Sequence, residues 1–327
     1  MTAIDTDGLT KRFGEDVLAV DELDLTIEEG EVFGFLGPNG AGKSTTINML
    51  LDLTRPTSGS ATVLGHDIRA ESQQIRERIG VLPEGYDLYD RLTGRKHLEF
   101  AIRAKDVDDD PDRLLDRVGL DPEDGDRDVG GYSKGMQQRL ALGMALAGDP
   151  DLLILDEPSS GLDPTGISEV QEIVRAEADR GTAVFFSSHI LGEVEAVCDR
   201  IGVLNEGRLV AEGTIDDLQR EFAGDAKLDL TLEPTPDGVV GSLPDVEGVS
   251  GATVEDGFVR VRCADSRAKA RAINHVEAAG ATVADIQVED YSLEDIFTAL
   301  TSDDVEPPAD GDDAAADAAP ERAEVEA

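Results

Sequence analysis

The 327-residue chain carries 71 acidic against 29 basic side chains, a net charge of −42, and contains no Trp. A phosphate backbone must be met by Lys and Arg, so this balance argues against a general nucleic-acid binder. No run reaches the roughly eighteen apolar residues of a membrane-spanning helix. Charge of one sign at this density opposes the compact state unless molar salt shortens the screening length to ~3 Å, which points to a salt-rich cytoplasm.

In chain order, the N-terminus MTAIDTDG has no apolar leader pattern. Phe13 in LTKRFG is an aromatic that can stack on a base, an interaction worth ~1–3 kcal/mol, or join the core. LDLTIEEG, bounded by Gly, reads as an antiparallel strand, and Glu31 to Leu36 as a short apolar one. GPNGAGKST follows that strand and opens a helix over Ser44 to Leu53, the context a phosphate loop requires. Gly37, Gly40 and Gly42 allow the backbone from Gly37 through Pro38, Asn39 and Ala41 to Thr45 to wrap a phosphate with inward N–H groups. Lys43 supplies a cation for the β- and γ-phosphates, and the Ser44 hydroxyl a hard ligand for Mg²⁺.

SGSATVLGHDI reads as further antiparallel structure, and residues 95–147 as mostly helical. YSKGMQQR then opens a helix of its own, a second anion-binding geometry beyond the phosphate loop. In LLILDEP a buried strand ends at Asp156, where open α/β sheets bind ligands, which suits Mg²⁺ coordination. Glu157 beside it can polarise a water, a role worth ~10²–10⁴-fold. The apolar TAVFFSS ends at Ser188, and His189 after it can donate to the γ-phosphate. Alternation of strands and helices to about residue 222 implies a parallel sheet with crossover helices.

From Lys227 the pattern changes. LDLTLEP, SGATVE, GFVRVRC and ATVADIQVE alternate as strands around the helix SRAKARAINHVEAAG. SLEDIFTAL has Asp295 three residues after Ser292, the pattern of a capping box. Residues 303–327, with ten acids and one Arg, hold too little apolar surface to order themselves. Cys198 and Cys263 lack neighbours at metal-ligand spacing and read as free thiols.

The series GPNGAGKST, LPEGYDLY, YSKGMQQR, LLILDEP, SGLD and SSHI, in that order, resembles the ATP-binding subunit of ABC transporters over residues 1–222. The resemblance implies an α/β fold: a phosphate-loop NTPase with a RecA-like core, an antiparallel β subdomain and a helical insertion. Residues 226–302 are similar to the small α+β accessory domain of the exporter-like branch. ATP and Mg²⁺ are the implied ligands. Two such subunits would sandwich two ATP, with Ser133 and Gly135 of one touching the γ-phosphate held by Lys43 of the other and Asp163 lying across the interface. The implied partners are a second ATP-binding subunit, identical or related, and a separate membrane permease, with no nucleic acid. The chain would then be cytoplasmic and peripheral on the inner membrane face.

Two departures from the family pattern stand out. Glu84 occupies the place of a Gln that senses Mg²⁺ and the attacking water. In the signature, Lys134 and Met136 replace a Gly and a Gln. The segment from Gly85, with Tyr86, Leu88 and Tyr89, is the expected permease contact, although these three could equally pack internally. Two other readings compete: a soluble ABC ATPase acting on ribosomes or DNA, and a module that holds ATP without useful turnover. One set of motifs and the acidic charge disfavour the first; Lys43, Asp156, Glu157 and His189 disfavour the second.

Overall fold

Alternation in the first strands sets a layer with one wet face. In the computed structural model, which describes residues 2–222, 226–233, 238–255, 257–264, 266–289 and 293–301, β1 (Thr2–Phe13) and β2 (Val17–Glu28) pair antiparallel. Leu23, Leu25 and Ile27 point inward while Asp24, Thr26 and Glu28 face solvent. Strand β3 (Val32–Leu36) is buried throughout and leads through the phosphate loop into α1 (Lys43–Leu50). Strands β4 (Ser58–Val63) and β5 (His66–Asp67) complete the antiparallel layer in the order β2-β1-β4-β5.

After α2 (Ser72–Arg78) and β6 (Ile79–Leu82) comes the helical insertion: α3 (Gly94–Lys105), α4 (Pro111–Arg117), α5 (Pro122–Gly125) and α6 (Lys134–Ala145). Three of these helices, α3, α4 and α6, start on hydroxyl or carboxylate caps, with Thr93 accepting from Lys96 N–H, Asp110 from Asp112 N–H and Ser133 from Met136 N–H. The core then alternates β7 (Leu152–Asp156), α7 (Pro164–Ala178), β8 (Ala183–Ser188), α8 (Leu191–Glu195), β9 (Arg200–Asn205) and β10 (Arg208–Gly213).

The six-stranded sheet runs β10-β9-β3-β8-β7-β6, parallel except for β10. Because successive residues of a strand face opposite sides, Phe33, Phe35 and Phe185 pack toward the antiparallel layer while Val32, Leu36 and Phe186 pack toward the insertion. Each fully buried side chain of this size contributes ~1.5–3 kcal/mol. The insertion is tied to the core by charge as well: Arg117 of α4 pairs with the fully buried Glu177 of α7 and, at 2.5 Å, with Asp149. Strands β3, β8 and β7 are neighbours, so the loops after Leu36, Ser188 and Asp156 emerge side by side at one sheet edge. That adjacency builds the site.

Helix α9 (Ile215–Phe222) leads to the small unit: β11 (Ala226–Glu233), α10 (Val239–Ser242), β12 (Val249–Glu255), β13 (Phe258–Cys263), α11 (Ser266–Ala278) and β14 (Thr282–Glu289). Its sheet order, β12-β13-β11-β14, all antiparallel, is that of a split β-α-β ferredoxin-like fold. Leu228, Leu230 and Val261 pack there on Ala268, Ala272 and Val276 of α11. Helix α12 (Leu293–Thr301) leaves this sheet: Leu293 joins the core cluster that holds Leu218 of α9, Phe297 and Leu300 pack against it, and Asn205 Nδ2 donates to Leu300 O at 3.2 Å. Neither Cys198 nor Cys263 is in a disulfide. The cap expected at Ser292 and the acidic segment 303–327 lie outside the described residues.

Candidate active site

Between β3 and α1 the backbone of residues 37–42 must turn tightly against two strands. A Cβ on Gly42, whose φ is 114°, would fall 2.4 Å from Ala19 O, and one on Gly37 would fall 2.5 Å from Leu204 O. Only glycine fits either place. Ala41 N–H donates to Pro38 O at 3.1 Å and Gly207 N–H to Ala41 O at 2.8 Å, which pins the loop. The opening of α1 leaves its first amides without helical partners, which makes it an anion site. Lys43 folds back over the loop, its Nζ donating to Gly37 O at 2.7 Å and Pro38 O at 3.4 Å. Pro38, Asn39, Gly40, Ser44 and Thr45 line a cavity of about 460 Å³ whose far side is Glu84, Glu157, Ser160 and His189.

Asp156 at the end of β7 is buried, and Ser187 Oγ donates to its Oδ1 at 2.6 Å. Glu157 has φ 51°, a left-handed backbone that costs a non-glycine residue about 1–3 kcal/mol. Its N–H donates to both Ser187 O and Ser187 Oγ, which holds the turn. The strained turn aims the carboxylate into the cavity, 3.4 Å from Lys43 Nζ through Oε1 and 2.7 Å from His189 Nδ1 through Oε2. The structure thus brings Lys43, Glu157 and His189 into direct contact and leaves His189 Nε2 for a cavity ligand. Ser187, fully buried and bonded to both acids, is the residue that sequence reasoning passed over; its only signal was the paired Ser before His189.

Oxygen donors for a metal stand at Ser44 and Glu84 in the cavity wall and at Asp156 behind, at the strand end. Such hard donors suit Mg²⁺, which keeps waters and phosphate oxygens in place of a full protein cage. Among the described residues no group of three or more His, Cys, Asp or Glu forms a metal cluster. Glu84 also lines a neighbouring cavity of about 370 Å³ with Asp90, Lys134, Gln138 and Leu162.

Other expected residues lie outside the phosphate cavity. Phe13 is 46 % exposed near the β1–β2 turn, with Lys11 Nζ 4.8 Å from its ring centre. Ser133 caps α6, and Asp163 caps α7 by accepting from Gly166 N–H at 2.8 Å. A Cβ on Gly135 would meet nothing closer than Glu169 Oε2 at 3.9 Å. Packing within this chain therefore does not require glycine there.

The segment after Gly85 divides. Tyr86 and Leu88 are half-buried against the core, and Tyr86 Oη donates to Gln138 Oε1 at 2.7 Å. Burial pushes the Tyr86 phenol up to about 12. Tyr89 is 72 % exposed. Tyr86 and Leu88 form part of an apolar groove of about 470 Å³ between the segment that follows α1 and helix α3, whose rims carry the exposed Leu53 and Phe100.

The family model described as ABC transporter matches residues 20–160. A daunorubicin resistance ATP-binding protein of Streptomyces coeruleorubidus is 38 % identical over 312 residues, 93 % of this chain and 97 % of that protein. A bacitracin transport ATP-binding protein of Bacillus licheniformis is 42 % identical over 224 residues, covering 67 % of this chain and 72 % of that one. A solved ATP-binding subunit of an ABC transporter superposes with a TM-score of 0.61 at 30 % identity, over 68 % of this chain and 93 % of that one. Likeness along nearly the whole length of such a relative places the chain in the ABC transporter family, as an ATP-binding subunit that hydrolyses ATP.

Proposed function

We propose that two ATP-binding subunits of this kind close on two Mg-ATP, and that the closure drives a separate permease in the direction of export. The observation that carries the reading is the pair of half-sites. Lys43, Glu157 and His189 meet around one cavity, while Ser133 and Gly135 sit elsewhere with room beside Gly135 that this chain does not use. A helix start with small residues suits a γ-phosphate brought by a partner. In this reading Lys43 and the loop amides hold the phosphates, Ser44, Asp156 and Glu84 hold Mg²⁺, Glu157 takes a proton from the attacking water, and His189 positions the γ-phosphate. Bound Mg²⁺ would neutralise phosphate charge. Phe13 stacks on adenine from its exposed place, and Asp163 joins the two sites.

Export is supported by the relatives' names, one a resistance protein and one a bacitracin transport protein. No helix among the described residues is long and apolar enough to cross a membrane, so the proposed seat on the inner membrane face is through the permease. The apolar groove between Leu53 and Phe100 suits a short helix of that partner.

Tagged Glu157→Gln protein, isolated with Mg-ATP in molar salt from gently solubilised cells, is expected to bring down a multi-helix membrane protein in near-stoichiometric amount. Ribosomal or DNA-bound partners without a permease would overturn the assignment. Phe100→Asp places a charge on the groove's rim; loss of one interface anchor at ~2 kcal/mol is ~30-fold in affinity. Copurified permease should fall accordingly while ATP hydrolysis by the free subunit holds; retention of the permease would remove the groove from the interface.

The net charge of −42 carries its own expectation. Melting in 2 M KCl should occur ~10 °C or more above that in dilute buffer, since each kcal/mol is worth ~2–4 °C at this domain size. Equal melting temperatures would end the salt-adaptation reading.

A further inference from the structure

One buried carboxyl beside the active site has no task in the scheme above. Glu193 lies in α8, beyond His189, and is 4 % exposed. Ser188 Oγ donates to its Oε2 at 2.9 Å and accepts from Ile190 N–H at 3.0 Å, so the carboxyl is wired to the turn that carries His189. Gln171 Nε2 of α7 donates to Glu193 O at 3.5 Å. Its other oxygen, Oε1, is buried with no hydrogen-bond partner, and so is Ser159 Oγ.

Ser159 stands just after the strained Glu157 turn and just before Ser160–Asp163. The environment of the Glu193 carboxyl comprises burial, which pushes its pKa up, the Ser188 hydroxyl, which draws it down, the Glu157 charge, which raises it, and then His189 and the Ser159 hydroxyl, which lower it. The two buried groups, an acceptor and a hydroxyl, therefore face each other beyond ordinary hydrogen-bond length yet close enough for the hydroxyl's hydrogen bonding to lower the carboxyl's pKa. Buried polar atoms left unpaired in one arrangement are sites where a second arrangement pairs them.

We infer that Glu193 is a positioning residue for ATP hydrolysis: its free carboxyl oxygen closes on Ser159 Oγ and locks the Glu157 segment to the His189 turn when the site is engaged. The lock joins two loops that come from different strands, β7 and β8. Without it, base and imidazole keep their own 2.7 Å contact, but no other hydrogen bond among the described residues ties the segment after Glu157 to the turn after Ser188 while the site works. Because Ser159 leads directly into the loop of Asp163, the same bond passes the state of that loop to the hydrolytic pair. The inference rests on the roles proposed for Glu157 and His189.

Steady-state ATP hydrolysis in molar salt tests it with Glu193→Ala, Ser159→Ala, the double variant and Glu193→Gln, and with Glu157→Gln alongside. Glu193→Ala and Ser159→Ala are each expected to lower kcat ~10-fold with KM for ATP within ~2-fold. The double variant should be no slower than the slower single one, since both remove the same bond. Glu193→Gln, which retains an acceptor for Ser159, should recover most of the rate. Unchanged kcat in Ser159→Ala, or losses that multiply in the double variant, overturn the inference even if Glu193→Ala fails to fold. A lowered melting temperature with normal kcat does so too. Full activity in Glu157→Gln would instead overturn the roles beneath it.

Discussion

Lys43→Ala is expected to lower ATP turnover by at least ~10²–10³-fold, the cost of removing one preorganised charge-stabilising group. The environment argues for the upper part of that range. Among the residues lining the phosphate cavity Lys43 is the single Lys or Arg, and Glu84 and Glu157 line the same space. Without the ammonium, two carboxylates face the polyphosphate and no Lys or Arg of the cavity wall offsets them. Calorimetric titration with ATP and a phosphate-release assay give binding and turnover separately, and unimpaired hydrolysis would remove Lys43 from the reaction. If the sites are composite, mixing Lys43→Ala with Gly135→Asp subunits leaves at most one working site per mixed dimer, which such assays read as partial recovery.

Glu157→Gln is expected to lose ~10²–10⁴ in kcat, the contribution of a positioned general base, while holding ATP at least as tightly as the native chain. The geometry accounts for both. Gln keeps an oxygen for His189, now 2.7 Å from Glu157 Oε2, so the turn survives. It gives up the ion pair with Lys43 at 3.4 Å and one negative charge next to the γ-phosphate. With hydrolysis blocked and repulsion reduced, the ATP-bound dimer should accumulate. Light scattering in molar KCl, where screening to ~3 Å removes most of the repulsion between acidic chains, should show a dimer with Mg-ATP and a monomer without. A strictly monomeric variant at saturating ATP would rule out the sandwich.

The sequence located the strand ends well because each motif there is local. A glycine-rich turn after Leu36, an acidic pair after Leu155 and a histidine after Ser188 each follow a short apolar run, and such runs in this setting become parallel strands. What could not be read was how groups some thirty residues apart meet. Ser187 bonds to Asp156 and Glu157 only because β7 and β8 are neighbours in register, Asp156 opposite Ser187. Glu193 and Ser159 are brought near each other by the same adjacency. Nor does periodicity tell that Leu293, Phe297 and Leu300 face the cassette, since an apolar stripe on a helix is silent about which core receives it. Tyr86 and Tyr89, three residues apart in one loop, took opposite fates because only Tyr86 has Gln138 beneath it.

The return of α12 has a mechanical consequence. The small sheet is entered through α9 and left through α12, and both ends rest on one flank of the cassette, where Asn205 at the end of β9 holds Leu300. A body held at one end swings freely; one held at both ends can turn only by loading its supports. Here the nearer support is β9, whose Leu204 carbonyl occupies the space a side chain on Gly37 would need, while Gly207 just beyond it donates to Ala41 O. The support that carries α12 at Asn205 is therefore the same strand end that borders the phosphate loop through Leu204 and Gly207.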